Sequence, residues 1–181
     1  LGITGSHMKA DDAIFTNFAD FFVEEKYWEE AKSKLIKTGD TTFLNKFKRE
    51  SLNSPLKKNL RLIIDLFSIN KLSLIIEEME MNPVFVHSLK KMLSASPLSV
   101  LTSYHMLQMP EIYLSVKEAL KIEYRFTSRA QEYTDFQEGI RSMIIDKDRK
   151  PVWKYPNIEE VPIQEVSDLL KPLSSASELK I

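Results

Sequence analysis

Apolar residues recur along most of this chain at the three- and four-residue spacing of helices, and proline punctuates them. Lys26 to Lys37 places Tyr27, Ala31, Leu35 and Trp28 toward one face, with acids early and lysines late as the helix dipole favours. Thr38-Gly39-Asp40 reads as a helix stop followed by a new N-cap, and Gly39 as the C-cap glycine. A short helix through Phe43, Leu44 and Phe47 follows. Asn53-Ser54-Pro55 opens another that carries Leu60, Ile63, Ile64 and Phe67 and breaks at Asn70. Further helices are predicted over Leu72 to Met79, over Val84 to Leu93 after the cap Asn82-Pro83, and over Leu98 to Leu107 after Ser96-Pro97.

The longest predicted helix runs from Ile112 to Ala130, with Val116, Leu120, Tyr124 and Thr127 along one stripe. Thr134 then caps a run in which Gln137 completes a capping box. Pro156, Pro162 and Pro172 divide the tail into an extended piece and a short helix from Ile163 to Leu170. Strand signal is confined to Ala19 to Val23, beside a helix at Asp11 to Asn17, and a single strand cannot form a sheet. The expected fold class is mainly α: a helical array with a short helix-strand remnant of α/β structure at its start. Three segments are expected: Leu1 to Met8, whose Gly5-Ser6-His7-Met8 resembles the scar of a cleaved expression tag; residues 9–37; and a helical domain over 38–181.

Composition narrows the chemistry. The chain has 181 residues, 43% of them hydrophobic, enough for a packed domain. Its 25 basic and 26 acidic residues give a net charge of -1, which does not call for a polyanionic partner. With no cysteine there is neither a disulfide nor a thiolate site, and His87 and His105 lack metal-ligand spacing, so no metal is expected. No apolar run approaches membrane-spanning length, and no membrane association is expected. Ser94, Ser96, Ser99 and Ser103 read as caps and turns, not as nucleophiles. Phe18, Phe21 and Phe22 are candidates for an exposed apolar patch.

The most distinctive stretch is Asp135 to Trp153, DFQEGIRSMIIDKDRKPVW. With Leu120 to Arg125 (LKIEYR), Ser96-Pro97-Leu98-Ser99 and Ser177-Glu178-Leu179-Lys180, it resembles the C-terminal part of the 3-hydroxyisobutyryl-CoA hydrolases of the crotonase (enoyl-CoA hydratase/isomerase) superfamily, fungal mitochondrial type. Asp11 to Val23 is similar to the last helix and strand of the crotonase core, with Asn17 where the pattern has glycine.

The resemblance implies a mitochondrial protein of valine catabolism that hydrolyses the 3-hydroxyisobutyryl-CoA thioester, with coenzyme A as part of the substrate and no separate cofactor. Residues 9–37 would then be the end of the crotonase core and a first helix. The oxyanion hole and catalytic acids would lie upstream, so no catalytic residue is assigned here. The matching basic and aromatic positions, Lys147, Arg149 and Trp153, become candidate contacts to CoA. Glu138 reads as a structural acid paired with Arg141 or Arg125, and Gly139 as a packing glycine. Implied partners are the acyl-CoA substrate, the protein's own core and a homo-oligomer. The alternative the resemblance raises is a non-catalytic component of the mitochondrial small ribosomal subunit.

Overall fold

The structure, a computed structural model, describes residues 1–50 and 53–181. Its ten α-helices among these residues are α1 Ala10–Phe15, α2 Trp28–Thr38, α3 Pro55–Lys58, α4 Leu60–Phe67, α5 Leu72–Met81, α6 Val86–Ser94, α7 Pro97–Gln108, α8 Val116–Tyr133, α9 Phe136–Ile140 and α10 Ile163–Leu170. They form two units, His7–Ser68 and Leu1–Ser6 together with Ile69–Ile181.

In the smaller unit α1 ends in a left-handed residue, Asn17 at φ 59°. The Phe18 and Ala19 amides fold back onto the Ala13 carbonyl. A left-handed residue at this point is what glycine ordinarily supplies, and asparagine is the side chain that tolerates it best. The expected strand at Ala19 to Val23 is absent: among the described residues no strand occurs. A strand needs a neighbour to share its ladder, and here the Val23 carbonyl instead accepts from Trp28 Nε1 at 2.8 Å. Gly39 ends α2 as expected, at φ 63° with its amide on the Leu35 carbonyl. Asp40 then accepts from the Thr42 amide and hydroxyl, at 2.8 and 2.7 Å, starting the 3₁₀ turn Thr42–Phe47.

The larger unit has its core where α7, α8 and α10 meet, built from Leu98, Ile122, Val161, Val166, Leu169 and Leu170. A second packed group, on α5, α6 and the 3₁₀ turn Pro83–Phe85 between them, buries Ile75, Met79, Phe85, Leu89 and Met92. The stripe expected on α8 is not the buried one. Val116 is 77% exposed and Leu120 42%, whereas Ile122 is 2% exposed and Phe126 packs beside it. The helix carries apolar residues on two faces, and periodicity alone does not say which one meets α7 and α10. Its start also moves, because Ser115 accepts from the Glu118 amide at 3.2 Å and fixes the N-terminus there, leaving Pro110–Tyr113 as a separate 3₁₀ turn.

Both units use one device. In each, the serine of a Ser-Pro cap accepts from the third amide of its helix and donates its own proton to a buried aspartate distant in sequence. Ser54 Oγ accepts from Lys57 N at 3.0 Å and donates to Asp12 at 2.6 Å. Ser96 Oγ accepts from Ser99 N at 3.2 Å and donates to Asp135 at 2.5 Å. The hydroxyl's two roles are thus both filled, and the carboxylate holds the cap in place. Thr134 and Gln137 do not form the expected capping box: Gln137 Nε2 donates to the Gln131 carbonyl, and Thr134 Oγ1 accepts from the Phe136 amide instead.

Candidate functional site

The region of interest begins where α8 ends. Asp135 caps α9, and helical winding continues past Ile140 as a π-helix over Arg141–Ile145. The chain then turns through Asp146 to Lys150 and returns along α9 as an extended strap, residues 151–155.

Two carboxylates hold that strap. Asp135 Oδ1 accepts from the Lys154 amide at 2.7 Å, while its other oxygen takes the Ser96 hydroxyl. Glu138 Oε1 accepts from the Val152 amide at 2.7 Å. Asp135 is buried, and its neighbours are neutral donors. The sequence signal that marks it is its position directly before a helix.

Arg141 sits at the centre of the turn. It forms a bidentate pair with Glu138, Nε to Oε2 at 2.8 Å and Nη2 to Oε1 at 2.7 Å. Nη1 reaches Asp146 at 2.6 Å and Asp148 at 2.7 Å, and Nη2 also donates to the Lys150 carbonyl at 3.2 Å. Of the two partners weighed for Glu138, Arg141 is therefore the one; Arg125 pairs with Glu178 at 2.8 Å.

The guanidinium, and then the Val152 amide, hold the Glu138 carboxyl down at about 2. Asp148 is lowered by the same guanidinium and by the Lys150 amide. Because the folded value of Glu138 lies below the unfolded carboxylate range, the stabilisation is present above that range and is lost as pH falls through about 2. A carbon-13 titration of the Glu138 carboxyl is expected to show a midpoint about two units below a free glutamate, near 4.3; an ordinary midpoint would mean that the pair with Arg141 does not form in solution.

The candidate CoA contacts fall in two places. Lys147 and Arg149 are exposed, and both adopt left-handed backbone with φ 55°. For a residue with a side chain that conformation costs about 1 kcal/mol. Among the described residues neither has a carboxylate within 4 Å, in contrast to Lys154, which pairs with Glu165 at 2.8 Å. Trp153 is only partly exposed and lies over Gly139: a Cβ on Gly139 would stand 3.8 Å from the indole ring. That is ordinary contact, so the ring fills the space beside the glycine without strictly requiring its small size. The structure thus brings Trp153 to the α9 face and leaves the two cations on the turn.

At Asp135 and Lys154 opens a cavity of about 610 Å³ lined also by Arg129, Tyr133, Glu165 and Asp168, among others. Several of its charged groups have partners: Lys154 pairs with Glu165 at 2.8 Å, Arg129 donates to the Leu169 and Lys171 carbonyls at 3.0 and 2.7 Å, and Asp168 accepts from Lys171 at 2.5 Å. Among the described residues no group of three His, Asp or Glu side chains is placed to hold a metal ion. His105 is pushed down by burial. No helix is long and apolar enough to cross a membrane.

A chain of packed helices with a carboxylate-pinned strap after an Asp-Phe-x-Glu-Gly-Ile-Arg run defines an all-helical class of fold among the described residues, and comparison with known proteins gives the family. The pattern for Enoyl-CoA hydratase/isomerase matches residues 1–170, and the chain belongs to that family. The matched span takes in Leu1 to Met8, the segment set apart as a tag scar, where Ile3 and Thr4 are buried.

The chain is 30% identical over 192 residues to a protein of Dictyostelium discoideum named 3-hydroxyisobutyryl-CoA hydrolase, mitochondrial, covering 99% of this chain and 50% of that protein. It is 28% identical over 193 residues to the human protein of the same name, covering 99% and 50%. It therefore spans about half the length of the curated relatives it matches, their C-terminal half. Among solved structures, an enoyl-CoA hydratase from Rhodobacter sphaeroides 2.4.1 superposes with a TM-score of 0.88 at 37% identity, over 100% of this chain and 52% of that one. A carnitinyl-CoA dehydratase from Mycobacterium thermoresistibile, at 22% identity and a TM-score of 0.83 over 96% and 50%, shares the fold.

Proposed function

We propose that the full-length protein hydrolyses the thioester of 3-hydroxyisobutyryl-CoA, in the mitochondrion and as a step of valine catabolism. In this reading residues 9–37 complete the crotonase core and residues 38–181 form the helical domain that packs on it. Lys147, Arg149 and Trp153 contact the CoA nucleotide, the two cations by pairing with phosphate and the indole by stacking. The observation that carries the reading is the Asp146–Lys150 turn, which keeps two basic residues in left-handed backbone without carboxylate partners.

Within the chain the acids of this region are already occupied. Glu138 is held ionised by Arg141 and accepts the Val152 amide, and Asp135 serves Ser96 and Lys154. Glu138 is not poised near neutral pH as a general acid or base would be. The chemistry is accordingly assigned to residues outside this chain. The 181-residue chain is expected to release no CoA from 3-hydroxyisobutyryl-CoA in a thiol-release assay, and the full-length protein to turn it over. Turnover by the shorter chain would place the catalytic groups within it. Failure of the full-length protein on this thioester, with turnover of another, would change the substrate assignment.

A further inference from the structure

We propose that Arg141 is the positioning residue for Lys147 and Arg149: by gripping Asp148 from inside the turn, it holds both flanking cations in left-handed backbone and free of carboxylates, ready for a phosphate-bearing ligand. This rests on the reading of the turn as a CoA nucleotide contact and adds the device that sets it.

The connection is continuous. Arg141 Nη1 fixes Asp146 and Asp148 at 2.6 and 2.7 Å, one on either side of Lys147. Asp148 Oδ1 in turn accepts the Lys150 amide at 2.8 Å, across Arg149. The Arg149 amide donates to the Ser142 carbonyl at 3.0 Å, and the Asp146 amide to the Arg141 carbonyl at 2.8 Å, tying the turn to the π-helix. Each left-handed residue therefore lies between two restrained points, which is how an unfavourable conformation persists.

The same guanidinium decides the electrostatics. Asp146 and Asp148 are the sequence neighbours of Lys147 and Arg149 and their nearest natural partners. Arg141 takes both, together with Glu138. The acids are neutralised by Arg141 and the cations stay free of them. A charge run that was merely solvated would need neither an arginine engaged by three carboxylates nor two non-glycine residues at positive φ.

The test uses adenosine 3′,5′-bisphosphate as the probe, measured by calorimetry at fixed ionic strength on the 181-residue chain. Lys147→Ala and Arg149→Ala are each expected to weaken binding about tenfold, the usual size of a charge-assisted hydrogen bond. Asp148→Asn is expected to weaken it about as much although it removes a negative charge, which ought otherwise to help an anion bind. It leaves the Glu138–Arg141 pair in place, so the thermal midpoint reports whether the fold is intact.

Asp148→Asn added to the double variant Lys147→Ala/Arg149→Ala should weaken binding no further, since Asp148 acts through those two residues. Trypsin cleavage after Lys147 and Arg149 should also accelerate in Asp148→Asn. If the Lys147 and Arg149 variants bind like wild type, the nucleotide reading of the turn fails and the positioning role falls with it. If those two weaken binding but Asp148→Asn does not, or if Asp148→Asn weakens the Lys147→Ala/Arg149→Ala variant further, the nucleotide reading stands and the role of Arg141 is overturned.

Discussion

Alanine at Asp135 is expected to lower the free energy of unfolding by about 3 kcal/mol, the combined effect of leaving two donors without an acceptor. The carboxylate is buried and takes the Ser96 hydroxyl at 2.5 Å and the Lys154 amide at 2.7 Å, so one substitution orphans a helix cap and a strap amide together. The hydroxyl could turn elsewhere, but the amide is fixed by the chain. Asp135→Asn should cost about half as much, because the side-chain carbonyl still accepts from one donor while its NH₂ faces the other. Urea unfolding followed by circular dichroism measures both. A loss below about 1 kcal/mol for alanine would show that water replaces the carboxylate and that the site is not sealed.

Leu98→Ala is expected to have an effect of similar size, about 3 kcal/mol, through a different route. Leu98 is 0% exposed at the start of α7 and packs where α8 and α10 converge. Truncation removes buried surface and leaves a cavity that three helices would have to collapse together to fill. The outcome to look for is a lower urea midpoint with an unchanged m-value, since the area exposed on unfolding hardly changes. Leu120→Ala, on the 42% exposed stripe of the same bundle, should move the midpoint far less in this chain. Equal effects at the two positions would mean that the α8 stripe facing solvent here is packed in solution.

That contrast marks where sequence reasoning succeeded and where it stopped. Capping chemistry is local, so Gly39 after α2, Asn82 before Pro83 and Ser96 before Pro97 were all legible from a few adjacent residues. Ile163 to Leu170 was read with its observed bounds, because prolines fence it on both sides. The α8 face was not legible, since Ile122 and Leu120 are equally apolar and only the arrival of α7 and α10 decides between them. The strand expected at Ala19 to Val23 failed for a related reason: strands are made by neighbours, and composition does not report them.

At the site, Glu138 was readable as a structural acid with Arg141 or Arg125 for a partner, and the structure selects Arg141. The role of Asp135 was hidden, because its partners lie 39 residues before it and 19 after. The left-handed backbone of Lys147 and Arg149 was equally hidden, since nothing in two basic residues announces it.

The strap from 151 to 155 has one more property. An extended segment beside a helix normally offers its amides to any passing strand, and such edges seed intermolecular pairing. Here the Val152 and Lys154 amides, alternate residues that project to the same side, are both occupied by helix carboxylates, and Pro151 and Pro156 bracket them. The carboxylates that shape the turn thus also blunt an edge, and a chain stripped of Asp135 and Glu138 would expose a short adhesive segment as well as a loosened fold.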